Sequence, residues 1–187
     1  MNDTRIEWEV KFLEISEKDI INKLEEVGAV FVGEWAQIRN VYHIDQKNKK
    51  KWIRLRTNGE ETTLAIKEIK SDLVDGVQEI EVTVSNFEDT NLILNHLGYV
   101  ATSREENRRK KYYLDNVEID IDTWPLIPSY LEIEGKDEIS IKDACVKLGL
   151  DYANSCTFST QYIYENIYKI EVEKIKNLVF QLNKINN

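Results

Sequence analysis

In the segment Arg5-Ile6-Glu7-Trp8-Glu9-Val10-Lys11-Phe12 every second residue is charged and every other one is apolar. Successive side chains of a β-strand point to opposite faces. This spacing therefore sets Arg5, Glu7, Glu9 and Lys11 on one face and Ile6, Trp8, Val10 and Phe12 on the other. The pattern recurs along the chain. Arg54 and Arg56 oppose Ile53 and Leu55, Lys67 opposes Leu64 and Ile66, and Glu79 and Glu81 oppose Ile80, Val82 and Val84. Glu118, Asp120 and Asp122 oppose Val117, Ile119 and Ile121, and Glu132 and Glu134 oppose Leu131 and Ile133. Eight strands are predicted, over 5–13, 36–44, 51–57, 62–68, 77–84, 108–115, 117–123 and 130–134.

A solvated charged face is ordinary for a half-buried antiparallel sheet, and it accounts for any one of these strands. The set is less ordinary, because the charges come as same-sign pairs two residues apart, which repel. Carboxylate pairs are neutralised by divalent cations with oxygen ligands, and arginine and lysine pairs by phosphates. Both are satisfied together if the strands close into a barrel with the charged faces inward. Eight strands leave room inside for a ligand. The expected fold is α+β: a closed eight-stranded antiparallel barrel with a charged interior, flanked by amphipathic helices. Glu9 and Arg56 then point into the lumen.

Helical spacing interrupts the strands. Ser16-Glu17-Lys18-Asp19 resembles a capping box, and it opens a run with Ile20, Ile21, Leu24 and Val27 on one stripe, ended by Gly28. Residues 86–97 repeat the arrangement before Gly98, and 140–148 before Gly149. From 157 onward, Ile163, Ile167, Ile170, Val172, Ile175 and Val179 read as a helical region, with a polar tail to 187. Loops are expected at 46–51, with its four lysines, at 58–60 and 71–76, and at Asp115-Asn116 as a hairpin turn. With no repeat and no linker, 187 residues read as one domain.

Asp and Glu outnumber Lys and Arg by 34 to 25, a net charge of −9 that argues against a nucleic-acid binder, which needs a basic face. An anionic small molecule remains compatible through a local basic cluster or a bound metal. The N-terminal residues lack the pattern of a signal peptide, and no apolar run reaches the ~20 residues of a membrane span. A cytoplasmic, soluble protein is expected. Cys145 and Cys156 read as free thiols.

Glu7-Trp8-Glu9-Val10-Lys11 resembles the Glu-x-Glu-x-Lys mark of the CYTH superfamily, the triphosphate tunnel metalloenzymes, which includes class IV adenylyl cyclases and thiamine triphosphatases. The resemblance continues in family order through Ile53-Arg54-Leu55-Arg56, Leu64-Ala65-Ile66-Lys67, Gln78-Glu79-Ile80-Glu81, Arg109 with Tyr112, Ile121-Asp122 and Tyr130-Leu131-Glu132-Ile133-Glu134-Gly135. It implies an eight-stranded tunnel in which Glu7, Glu9, Asp122, Glu132 and Glu134 hold Mg2+ or Mn2+, and Lys11, Arg54, Arg56, Lys67 and Arg109 grip a small-molecule triphosphate. Glu79, Glu81 and Asp120 either join the metal set or orient the basic residues. Two positions depart from the family pattern. Asn40 stands where an aspartate is frequent, and Asn107 where a lysine is common, with Arg108 set by alternation on the opposite face.

Two reactions suit such a site. Water can attack the terminal phosphorus and release orthophosphate, or a ribose hydroxyl can attack the α-phosphorus and release pyrophosphate. A non-catalytic binder of polyphosphate or nucleotide is a third reading. Hydrolysis is favoured, because the resemblance lies in the phosphate-holding residues and no adenine pocket is identifiable. No general base is assignable: His43 reads as a rim or packing residue and His96 as a surface residue. Trp8 falls on the outer face by parity, Trp52 shares the parity of Arg54, and Trp124-Pro125 begins a loop that borders an entrance. The C-terminal region is expected to cap the barrel or to serve a homodimer.

Overall fold

The computed structural model describes residues 5–45 and 47–180. Eight antiparallel strands form the body: β1 (Arg5–Phe12), β2 (Val30–Asp45), β3 (Asn48–Thr57), β4 (Thr62–Ile69), β5 (Val77–Val84), β6 (Ser103–Leu114), β7 (Val117–Thr123) and β8 (Tyr130–Gly135). Neighbours run β2-β3-β4-β5-β1-β8-β7-β6, and β6 pairs back onto β2 to close the barrel. The closing pair runs from Val30 opposite Tyr113 to Val41 opposite Ser103.

That closure explains why β2 and β6 exceed the 36–44 and 108–115 expected of them. The added stretches, Val30-Phe31-Val32-Gly33-Glu34 and Ser103-Arg104-Glu105-Glu106, lack clean alternation; the first is held extended by the backbone of Lys110–Tyr113 and the second by that of Ile38–Val41. β3 also begins early, because Asp45 pairs with Asn48 in a tight reversal, and Lys49 and Lys50 extend from the strand into solvent. The β6–β7 reversal falls at Asp115-Asn116 as expected. Asp115 adopts φ +53°, a left-handed conformation that aspartate tolerates.

Three helices pack outside the barrel: α1 (Glu17–Glu26), α2 (Phe87–His96) and α3 (Glu138–Lys147). Ser16 caps α1 by accepting the Asp19 N–H at 3.4 Å, and Gly28, at φ +75°, ends it. α3 starts two residues before the expected 140, because Asp137 and Ser140 bond reciprocally as a capping box. The main core lies between the outer face of β1, β6, β7 and β8 and the helices α1 and α3. Val10, Phe12, Ile119, Ile121, Leu131 and Ile133 there meet Ile20, Leu24, Ile141 and Leu148. Each such side chain contributes about 1.5–3 kcal/mol on burial. α2 sets Leu94 on Tyr42, Ile53 and Leu55. The helices leave the outer face of β4 and β5 uncovered, so that Ile66, Ile80 and Val82 are exposed.

The C-terminal region departs from the expected helix. One turn at Thr160–Tyr162 widens over Ile163–Ile167, and Lys169, at φ +58°, stops it. A 3-10 turn (Val172–Lys174) and a short strand β9 (Asn177–Leu178), parallel to β6, follow. Ile163, Tyr164, Val172 and Leu178 are buried against Trp124, Ile127 and Tyr130 at one end of the barrel. The apolar positions thus serve a crossing of the barrel end rather than one helical stripe. The tail expected over 181–187 lies outside the described residues.

Candidate active site: a charged tunnel

The inner faces of the strands line a cavity of about 1330 Å³. Into it point Glu7, Glu9 and Lys11 from β1, Arg54 and Arg56 from β3, Lys67 from β4, Glu79 and Glu81 from β5, Arg109 from β6, Asp122 from β7, and Glu132 and Glu134 from β8. Asp120 joins them by pairing with Arg109. All thirteen residues proposed from the sequence therefore share one interior. At one end Phe158, Gln161 and Tyr162 of the C-terminal segment form the wall. Cys156 exchanges both backbone hydrogen bonds with Lys11 where β1 leaves β5.

Opposite charges interleave. Lys11, 3% exposed, lies 2.7 Å from Glu9 and 3.1 Å from Glu132. Arg54 reaches Glu79 at 2.8 Å and Glu81 at 2.7 Å, and Arg56 approaches Glu81 at 3.5 Å. Lys67 stands 2.9 Å from Glu7 and 3.2 Å from Glu79. Arg109 engages Asp120 at 2.5 Å, Asp122 at 2.6 Å and Glu132 at 3.2 Å. Burial works against the charge of Lys11, yet Glu132 and Glu9 hold its pKa well above the lysine range.

The balance is incomplete on the acidic side. Glu134 is pushed up to about 7 by burial and then by the charges of Glu132, Glu118 and Glu9. Burial raises Asp120 to about 8, against the pull of Arg109. Burial likewise raises Glu7, to about 9, and the neighbouring Glu79 carboxyl adds to the rise. Burial opposes ionisation of Glu79 as well, but the Glu7 hydrogen bond and the Arg54 and Lys67 charges bring it down to about 2. Arg56 is depressed to about 10, first by the Arg54 charge and then by burial. Asp120 Oδ1 is buried without a hydrogen-bond donor, and Glu7 Oε2 has only the Lys67 ammonium beside it.

Such under-neutralised, oxygen-only donors suit a hard divalent cation, and Glu7, Glu9, Asp122, Glu132, Glu134 and Asp120 fit Mg2+ or Mn2+ by chemistry. Among the described residues no three of them already converge at ligand spacing. Each paired carboxylate is turned toward a lysine or an arginine instead.

Several lumen residues were not singled out from the sequence. Arg39 pairs with Glu105 at 2.6 Å and lies 4.2 Å over the Trp124 ring. Lys111 pairs with Glu118 at 2.6 Å. The parity of Arg39 with Gln37 and His43 was available in the sequence, whereas Glu105 fell outside the expected strand. Asn107, 2% exposed, donates to Asp122 at 3.3 Å, so a neutral donor stands at that departure. Arg108 is exposed on the outer face, as alternation predicts, with its guanidinium over Phe180. Asn40 points outward and donates to Tyr42 and Asn91, both at 3.4 Å. The other departure therefore does not touch the lumen. His43 lines the cavity beside the C-terminal segment, Trp8 packs outward on the main core, and Trp52 and Trp124 face the lumen.

A closed antiparallel barrel with a charged lumen, and with helices packed on part of its outer wall, defines the class of fold. The chain belongs to the CYTH domain family, whose model matches residues 5–154. Among solved structures it is similar to the PH1012 protein of Pyrococcus horikoshii, with 25% identity, a TM-score of 0.72, and 82% of this chain and 96% of that one covered. It is also similar to a candidate adenylate cyclase from Vibrio parahaemolyticus, with 14% identity, a TM-score of 0.71, and 86% and 98% covered. A third is a Hippeastrum protein described as a candidate adenylyl cyclase with a dominant triphosphatase activity, at 12% identity, a TM-score of 0.56, and 88% and 97% covered. The last two likenesses show the fold alone. Comparison with curated proteins finds no match.

Proposed function

We propose that the chain hydrolyses a triphosphate-bearing small molecule in a divalent-metal-dependent reaction inside the tunnel. The observation that carries this reading is the convergence of five basic and eight acidic side chains in one lumen, with the buried Asp120 Oδ1 lacking a donor. Lys11, Arg54, Arg56, Lys67 and Arg109 bind the phosphate oxygens and fix the phosphate chain along the tunnel. The arginines offer paired donors that match phosphate geometry. Glu7, Glu9, Asp122, Glu132 and Glu134 would hold Mg2+ or Mn2+, which, when bound, neutralises phosphate charge and lowers the pKa of a coordinated water. Glu79, Glu81 and Asp120 orient the basic side chains they touch. Phosphoryl transfer asks mainly for positioning and charge neutralisation, which these residues supply.

The alternative is nucleotide cyclisation, and the Vibrio relative's description favours it. The Hippeastrum relative's description favours hydrolysis. Incubation with tripolyphosphate, ATP and thiamine triphosphate, each with Mg2+ or Mn2+, separates the readings. Orthophosphate release supports the proposal, cyclic AMP with pyrophosphate replaces it by cyclisation, and binding without turnover makes the protein a polyphosphate receptor.

A further inference from the structure

Trp35 sits on the inner face of β2, directly opposite Arg109 in the β2–β6 register. It lines the tunnel away from the end walled by the C-terminal segment, whose strand β9 meets β6 five residues earlier, at Arg104. The indole belongs to none of the three hydrophobic clusters, so its place is not set by the core. Local contacts set it instead. Nε1 donates to Glu60 Oε2 at 3.1 Å, and the six-membered ring lies across Gly33, where a Cβ would come within 2.5 Å of Cη2 and Cζ2. Gly33 follows a register shift in β2, and only a residue without a side chain lets the ring lie there. Trp124, by contrast, has a face taken by Arg39, and Trp8 packs outward.

An indole fixed beside a phosphate-gripping arginine, at the wall of a polyanion tunnel, is a stacking seat for a ring attached to the phosphates. Glu60 and Glu61, exposed in the β3–β4 turn, border the cavity beside the indole. They suit a ring carrying positive charge or exocyclic amino groups. We propose that Trp35 seats the heteroaromatic head of an organic triphosphate whose phosphates run inward from Arg109, and that this seat selects such substrates over inorganic tripolyphosphate. The inference rests on the triphosphate-hydrolase reading and specifies its substrate class.

The test compares KM and kcat for thiamine triphosphate, ATP and tripolyphosphate in the unaltered protein, Trp35→Ala, Trp35→Phe and Glu60→Gln. Stacking on an aromatic side chain is worth roughly 10–100-fold in affinity. Trp35→Ala is expected to raise KM for both ring-bearing substrates by about that factor and to leave tripolyphosphate within about twofold. Trp35→Phe restores most of the loss, which a merely structural role would not predict. Glu60→Gln keeps an acceptor for the indole and raises KM most for the cationic thiamine compound. Equal changes for all three substrates, no change for any, or turnover of tripolyphosphate alone overturns the seat. If the unaltered protein hydrolyses none of them, the hydrolase reading fails separately. Calorimetric binding of thiamine triphosphate against tripolyphosphate to Trp35→Ala then decides the seat by the same selectivity.

Discussion

Glu9 and Glu134 occupy one register position on β1 and β8, so two carboxylates face each other directly across the inner wall of the barrel. Glu9 has Lys11 at 2.7 Å, while among the described residues no lysine or arginine stands at ion-pairing distance from Glu134. Like charges set opposite each other across an antiparallel pair are destabilising. Their persistence here marks a place where stability has been given up for a charge that something else must neutralise.

The first consequence is a pH dependence. Glu134 moves from an ordinary 4.5 to about 7 on folding, Asp120 from 3.8 to about 8, and Glu7 from 4.5 to about 9. A raised carboxylate favours the fold while it stays protonated. That contribution is complete below the ordinary value and is lost as pH rises through the folded value. The metal-free protein is expected to melt at progressively lower temperature from about pH 5 to about pH 9, and Glu134→Gln should flatten the part of the fall between about pH 5 and pH 7. Glu79, lowered to about 2, acts oppositely: its contribution is present above 4.5 and lost as pH falls through about 2. Melting curves followed by circular dichroism across this range check both signs, and a pH-independent Tm for the metal-free protein would contradict them.

Metal dependence should reside in the carboxylates. Glu7→Gln and Glu9→Gln are expected to reduce Mg2+- or Mn2+-dependent turnover beyond the roughly 10–100-fold that loss of an outer partner of a ligand costs. Neither should unfold the protein, because Lys67 keeps Glu79 and Lys11 keeps Glu132 as an ion-pair partner. Undiminished turnover in either variant excludes that residue as an essential ligand.

Lys11 and Arg56 separate stability from binding. Lys11 is 3% exposed between two carboxylates, so Lys11→Met leaves Glu132 and Glu9 buried without their cation. Breaking such a pair costs about 3–5 kcal/mol. Arg56 lies beside Arg54, whose charge depresses it, and its nearest carboxylate is 3.5 Å away. Arg56→Gln should therefore leave Tm unchanged or slightly raised while increasing the KM for a triphosphate about tenfold or more. Urea unfolding and steady-state kinetics on the two variants resolve the contrast, and an equal loss of stability in both would contradict it.

A control away from the lumen is the α3 cap. Asp137 accepts the Ser140 N–H at 2.8 Å, and Ser140 Oγ bonds back to the Asp137 backbone. Asp137→Ala should cost about 1 kcal/mol of stability with kcat and KM unchanged. A change in kcat would show that the helix reports to the tunnel.

Much of this was legible in the residues, for a simple reason. Alternation with period two assigns each side chain to a face wherever charge and apolarity are cleanly segregated. The expected strands 77–84 and 117–123 match those found, the expected 5–13 ends one residue earlier at Phe12, and Glu7, Glu9, Lys11, Glu79, Glu81 and Asp122 turn inward as expected. The outward turn of Arg108 followed from the same parity. Legibility failed where the signal was carried by a distant partner. Val30–Gly33 and Ser103–Glu106 are strands because the first pairs with Lys111–Tyr113 and the second with Ile38–Val41 when β2 and β6 close the barrel. Glu105 and the Trp35 seat came into view only with that pairing. The C-terminal apolar spacing suited a helix, but its residues bury against Trp124 and Tyr130 from a broken path that no periodicity encodes.

By itself, then, the order of residues determined which side chains share a face and that the charged faces carry matched groups of opposite sign, because strand geometry is local. Only the tertiary structure decided that those faces turn inward around a single cavity, which carboxylate meets which guanidinium, and that the C-terminal segment walls one end. Those outcomes depend on register and closure between segments far apart in the chain, set by backbone pairing and packing over the whole barrel.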